Sequence, residues 1–350
     1  MAAASAAALP FSSRQLERVF ARLSGRPPLH VHAVLSGNIN TIVKVECEGR
    51  LYGLRVRTQE QVYRYEPDLV KEALVAALLT PGARPPTDAA VARLFDSLSA
   101  ARCGTLDSET TVLPRLRYYD WTRQLLAHPY CVYDWADGAP LWDTPSPPLY
   151  RAAGRALAQI HTVRFEAWYA DFPSVGKTPL AWAERFPQAL GKELDAARRH
   201  LPAALAEAAA GLRLPDALEV RPCLVHNDFS PGNILTADGR LTAIIDWDNA
   251  VVDAPALDFV KMKYWTAKNP AGLLSPHPTL FGAFVEGYGD AGQAIVESVA
   301  FALYELLWLL RVFNFECAKQ AQGIAPAPGY PEAGAYEACL SEVLTRLSRF

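Results

Sequence analysis

Leu224-Val225-His226-Asn227-Asp228-Phe229-Ser230-Pro231-Gly232-Asn233-Ile234-Leu235, followed after a short gap by Ile244-Ile245-Asp246-Trp247-Asp248, decides how this chain is read. Residues 234–236 and 241–245 are β-prone runs flanking Ala237-Asp238-Gly239-Arg240, and Asp-Gly between two such runs is the strongest short hairpin signal. Folding about that turn sets Asn233 roughly opposite residue 244. Asn233 and Asp246 then lie within about one strand spacing of each other at the open end of the hairpin. Asp228 stands on the loop leading in. One amide oxygen and one carboxylate held together suit Mg²⁺, which takes few protein ligands and fills its shell with phosphate and water. A separate carboxylate beside them, Asp228, is placed to accept the proton of an attacking hydroxyl. These are the parts that phosphoryl transfer from a nucleotide requires. An acidic surface loop would use the same residue types, but it leaves the second Asp after an apolar strand unexplained.

The rest of the chain sets the bounds. Its 350 residues are 51% apolar and 20% charged, enough for two lobes with a large core. A net charge of −3 argues against nucleic-acid binding, which brings a basic excess. The cysteines at 47, 103, 131, 223, 317 and 339 form no C-x-x-C pair. Buried free thiols in a reducing, cytoplasmic setting are expected. Residues 1–11, mostly alanine at first, read as a disordered leader without the basic region of a signal peptide. The apolar run 299–315 is interrupted by Glu305 and Arg311, which makes it a buried amphipathic helix rather than a membrane span. Oligomeric state is left open.

Periodicity gives the organisation. A first helix is expected over 12–24, then a meander of strands over 31–35, 41–46 and 51–56, with turns at Ser36-Gly37-Asn38 and Glu48-Gly49-Arg50. A helix carrying Glu72 follows over 67–79. Residues 80–108 read as an insertion with a short helix at 89–98, and 113–119 and 128–135 as two more strands. Beyond that come helices at 148–163, 179–199 and 202–212, then the motif strands, and helices again from 253 to 350. The fold class is α+β and two-lobed: an antiparallel-sheet N-terminal lobe over 12–134 and a mostly helical C-terminal lobe over 135–350.

His226-x-Asp228-x4-Asn233-Ile234-Leu235 with Ile245-Asp246-Trp247-Asp248 resembles the signature of the aminoglycoside phosphotransferase and choline-kinase-like superfamily. It shares the His, Asp and Asn spacing of the protein-kinase loop H-R-D-x-x-x-x-N. The resemblance runs over roughly residues 30–320. It implies a protein-kinase-like fold, ATP as donor, Mg²⁺, and a hydroxyl of a small molecule as acceptor. Asp228 matches the catalytic Asp, with His226 beside it. Asn233 and Asp246 match the metal ligands, and Asp258 in Ala256-Leu257-Asp258-Phe259 matches an Asp that supports the loop. Most members carry Gly where this chain has Asn227.

On the nucleotide side, Leu35-Ser36-Gly37-Asn38-Ile39-Asn40 resembles the family's short glycine loop, with Ser36, Gly37 and Asn40 at the phosphates. Arg55, in the strand 51–57, stands where protein kinases have Lys, and a guanidinium can grip phosphate bidentately. Arg57 shares its face by alternation, so either arginine could fill the role. Glu72 is the expected partner of that cation. Residues 128–138 resemble the hinge between lobes, where backbone groups of Asp134 and Ala136 would meet the adenine edge. His161 reads as structural.

Two other motifs fail their context. Val175-Gly176-Lys177-Thr178 lacks the Gly of a phosphate cradle, with Asp171 in its place. Gly287-Tyr288-Gly289-Asp290-Ala291-Gly292 follows a helical run rather than a strand, so it reads as an inter-helix loop. For the acceptor, the acids and aromatics of 280–316 could hold an amine, as in an amino sugar or amino alcohol, with Asp248, Glu305 and Trp308 as candidates. An ordinary helix pair with a solvated acidic face accounts for the same residues. A protein kinase is disfavoured, because Asp246-Trp247-Asp248 replaces D-F-G and no A-P-E follows. A catalytically silent nucleotide-binding protein of the same fold remains the alternative, given Arg55 and Asn227.

Overall fold

Successive side chains of a strand face opposite sides of its sheet, and the N-terminal sheet is built on that alternation. In the computed structural model, residues 11–24, 30–36, 40–57, 69–79, 95–100, 102–103, 114–120, 122–169, 179–218 and 220–350 are described. Strands β1 (His30–Ser36), β2 (Asn40–Cys47), β3 (Arg50–Arg57), β4 (Leu116–Asp120) and β5 (Tyr130–Asp134) form one antiparallel sheet in the order β1-β2-β3-β5-β4. Val43, Val45, Leu54, Val56 and Val132 turn to one face, where helix α1 (Ser13–Ser24) covers them with Leu16, Val19 and Phe20. Gly53 and Arg55 face the other way, into a cleft. Helix α2 (Leu69–Leu79) stands on that cleft side, and its Leu74, Val75, Leu78 and Leu79 join the core of the C-terminal lobe.

The C-terminal part is mostly helical, with small sheets of three, four and two strands among the described residues. Helices Pro147–Ile160 and Pro278–Tyr288 cross so closely that a Cβ added to Gly154 would lie 2.1 Å from the Phe284 carbonyl oxygen. One added to Gly287 would lie 2.1 Å from the Arg151 carbonyl oxygen. The glycines of the G-x-G-x-x-G run therefore serve helix packing, and Gly289, at φ +94°, breaks one helix from the next. A short hairpin, Ala267–Lys268 with Leu274–Ser275, interrupts the helical run expected after 253, with Gly272 in its turn at φ +78°.

Helix Val299–Ala321 corrects an expectation. Instead of one apolar stripe it is buried on all sides from 300 to 310, because it runs against helices Trp182–Ala197, Ala256–Tyr264 and Ala335–Leu347. A helix enclosed by others needs no polar face. Among the described residues no helix is long and apolar enough to cross a membrane. Cys47, Cys131, Cys223 and Cys317 are buried free thiols. The leader up to residue 10, Gly37, and the Val175–Thr178 motif lie outside the described residues, as does the Ser36 side chain.

Candidate active site

The hairpin that carries the motif pairs Ile234–Ala237 with Arg240–Ile244, Ile234 facing Ile244. Asp238 and Gly239 both have positive φ, +50° and +71°, the backbone of a type I′ turn. The Ile245 N–H donates to the Asn233 carbonyl at 2.9 Å. Asn233 thus faces residue 245, one place beyond the simple count, because the ladder shifts between Leu235 and Thr236. After the strand ends, Asp246 takes a left-handed conformation at φ +69°, and its side chain lines the cleft.

The loop of Asp228 is held from beneath. Asp258, 1% exposed, accepts the backbone N–H groups of His226 at 2.8 Å and Asn227 at 2.7 Å. His161 Nε2 lies 3.1 Å from the same carboxylate, and its Nδ1 lies 2.9 Å from the Tyr288 hydroxyl. His226 is fully buried against Trp247. Its Nδ1 accepts the Asp228 N–H at 3.2 Å, so its Nε2–H donates to the Ile245 carbonyl at 2.9 Å. The imidazole thereby ties the loop to the end of the hairpin. Asn227 sits at φ +60°, a region where Asn is among the few non-glycine residues tolerated. Its side chain adds a bond to the Asn249 carbonyl at 3.0 Å. The departure from Gly at this position is thereby accommodated.

Asn233 donates from Nδ2 to the Asp228 carbonyl at 2.9 Å, which leaves its amide oxygen for a cation. Asp246, whose side chain is 40% exposed, supplies a carboxylate nearby. Among the described residues no set of three or more His, Cys, Asp or Glu converges on a metal position. The donor set fits a hard ion that keeps most of its shell for phosphate and water.

Arg55 is the electrostatic centre. It donates to Glu72 at 2.8 Å, to Asp246 at 2.8 Å and to Asp248 at 2.7 Å. Asn40 adds a bond to Asp248 at 3.2 Å. One guanidinium cannot balance three carboxylates when two of them, Glu72 and Asp248, are buried. Burial pushes Glu72 up to about 8 despite Arg55, and burial likewise raises Asp248. Burial would also raise Asp246, but the Arg55 guanidinium outweighs it and holds that group below the usual range.

A cavity of about 680 Å³ joins these groups, lined by Asn40, Arg55, Glu72, Asp134, Ala136, Asp228, Asp246 and Asp248 among others. Leu35, Ile42, Val75, Leu235 and Ile244 give it apolar walls, a slot that suits a flat ring. Asp134 binds Arg117 through both carboxylate oxygens at 2.6 and 2.7 Å. Its N–H is taken by the Arg115 carbonyl at 2.9 Å.

The three acceptor candidates do not form a site. Asp248 is 4% exposed and committed to Arg55 and Asn40. Glu305 is fully buried with Lys263, Tyr264 and Arg346. Trp308, 6% exposed, stacks on Tyr264 within the core. By sequence Glu305 is either an acceptor contact or part of a solvated face; in the structure it is paired and enclosed. What the sequence reading missed is Lys261, whose Nζ donates to Asp228 Oδ1. Its signal was available: a cation three residues after Asp258 shares that helix face.

The model of the phosphotransferase enzyme family matches residues 31–315. The chain belongs to that family. A curated relative, the hygromycin-B 4-O-kinase of Escherichia coli, is 42% identical over 50 residues, 14% of this chain and 14% of its own length. Among solved structures, a candidate aminoglycoside phosphotransferase from Ralstonia eutropha superposes with a TM-score of 0.63 at 15% identity, covering 97% of this chain and 98% of its own. The aminoglycoside phosphotransferase APH(4)-Ia, in a ternary complex with AMP-PNP and hygromycin B, gives 0.58 at 15% identity, covering 96% and 98%. APH(2'')-IIa with streptomycin and ATP gives 0.54 at 13%, covering 87% and 90%. At such identities the likeness is one of fold, and that fold is the two-lobed, kinase-like one of the aminoglycoside phosphotransferases.

Proposed function

We propose that this phosphotransferase is an ATP- and Mg²⁺-dependent kinase that transfers the γ-phosphoryl group to a hydroxyl of a small molecule. The observation that carries the reading is the meeting of Arg55, Asp246 and Asp228 on one cavity. A cation for the phosphates, a carboxylate for the metal and a carboxylate for the acceptor's proton share one space. Complexes of its structural neighbours with AMP-PNP and with ATP support the choice of nucleotide. The apolar walls take the adenine, with the Asp134 carbonyl and the Ala136 backbone at its edge. Asn233 and Asp246 would hold the magnesium ion, which would offset the charge on the phosphates.

The acceptor oxygen attacks the γ-phosphorus along the line of the leaving bond. A new P–O bond forms, the bond to the β–γ bridging oxygen breaks, and its electron pair leaves with ADP. The hydroxyl proton passes to Asp228. Asp258, His161 and His226 keep that carboxylate in place, and Arg55, steadied by Glu72, orients the phosphates.

A coupled ADP-release assay tests this against a panel of acceptors. The panel runs from hygromycin B, streptomycin and other aminoglycosides through macrolides, choline, ethanolamine and homoserine to simple sugars. Mg²⁺-dependent, acceptor-dependent ADP release is expected from at least one. ADP release that ignores every acceptor would remove the small-molecule kinase reading.

A further inference from the structure

Helix Ala256–Tyr264 meets the catalytic loop twice. Asp258 takes the backbone N–H groups of His226 and Asn227. One turn later, Lys261 donates from Nζ to Oδ1 of Asp228. Residues three apart lie on one face of a helix, so a single rigid element holds both the loop's backbone and its reactive side chain. The two partners are largely covered, at 18% and 21% side-chain exposure. Lys261 Nζ also lies 5.4 Å from the centre of the Trp265 ring. That indole meets Tyr330 edge-on at 5.1 Å, so the lysine's reach is bounded by an aromatic wall.

An exposed ion pair with free side chains does little for stability or geometry. This pair is confined, and its acid is the one aimed at the acceptor. We infer that Lys261 is a positioning residue for phosphoryl transfer, acting through Asp228. It fixes one carboxylate oxygen and leaves the other for the acceptor hydroxyl. Lys261 keeps its own proton throughout; the acceptor's proton goes to the free oxygen of Asp228. The assignment rests on the phosphotransferase reading above.

The test compares wild type, Lys261→Met and Lys261→Arg with an acceptor found in the panel, measuring kcat, both KM values and the Kd for Mg²⁺-ATP. A misplaced reacting group costs about 10²-fold, so Lys261→Met should lose about 10²-fold in kcat. ATP affinity should stay within about twofold, the pattern of an interaction made only in the transition state. Lys261→Arg should recover most of the loss, since it keeps the charge and a donor. Lys261→Gln serves if the Met variant does not fold. A Lys261→Met enzyme as active as wild type overturns the assignment, and so does a faster one, which would make the lysine a plug over the base. An equal loss in Met and Arg variants alongside an equal fall in Tm also overturns it, by making the role structural. A wild type without turnover removes the phosphotransferase reading and takes this one with it. An active wild type beside an active Met variant removes this one alone.

Discussion

Arg55 and Asp246 are 191 residues apart in the chain and 2.8 Å apart in the fold. That bond joins the third strand of the N-terminal sheet to the hairpin of the C-terminal lobe, across the cavity both line. The cleft is therefore held by an ion pair that a triphosphate would compete for. A nucleotide entering it would trade the Arg55–Asp246 contact for an Arg55–phosphate one.

Arg55→Ala is expected to raise the KM for ATP by about 10–100-fold, the scale of a lost charge-assisted hydrogen bond. Arg57→Ala should leave it within about twofold. Steady-state kinetics on both variants decide between the two arginines, and an effect confined to Arg57→Ala would move the role to its neighbour.

Asp228→Asn should lower kcat by about 10²–10⁴-fold while ATP still binds, because only the acceptor's proton loses its destination. Unchanged turnover would refute the role given to Asp228. Nucleotide affinity can be followed separately by calorimetry.

With Asp246→Ala, ATP affinity should lose its dependence on Mg²⁺, since two protein oxygens fall to one. The check is a magnesium titration of ATP binding. Identical curves for variant and wild type would take Asp246 out of the metal site.

Asn227 offers a stability test. At φ +60° an alanine costs about 1–2 kcal/mol, whereas glycine avoids the steric penalty and loses only the bond to Asn249. Chemical denaturation should rank wild type and Asn227→Gly together, above Asn227→Ala. Alanine matching glycine would count against the left-handed backbone.

Glu72 predicts a pH dependence for the ligand-free protein. Its folded pKa is pushed up to about 8 by burial, against about 4.3 in an unfolded chain. Between those values the folded state keeps a proton that the unfolded state releases. Its contribution is therefore complete below about 4.3 and is lost as pH rises through about 8. Glu72→Gln should flatten that decline when unfolding free energies are compared at about pH 5, 7 and 9. Parallel profiles would show that Glu72 is not the group responsible.

The strands and the hairpin were legible because their signals are local. Alternation in 41–56, Asp238-Gly239 at a turn and Asp246 behind an apolar strand each depend on neighbours in sequence. The acceptor region was not legible for the opposite reason. Whether Glu305 faces water or Lys263 and Arg346 depends on which helices enclose Val299–Ala321, and no short window contains that. Asp248 is the same case: two residues beyond the proposed metal ligand Asp246, it turns back under Arg55. Lys261 needed only the step of asking what else lies on the face of Asp258. Gly37 and the Ser36 side chain fall outside the described residues.

The contact of Gly154 with the Phe284 carbonyl carries a consequence for engineering. Where two helices touch backbone to backbone at a glycine, any added side chain must push them apart, so their spacing there depends on Gly154 and Gly287. Helix Pro147–Ile160 leads into His161, and Tyr288 ends the other helix, so this fixed pair underlies the clasp on Asp258. A campaign to alter what the enzyme accepts should leave that foundation alone.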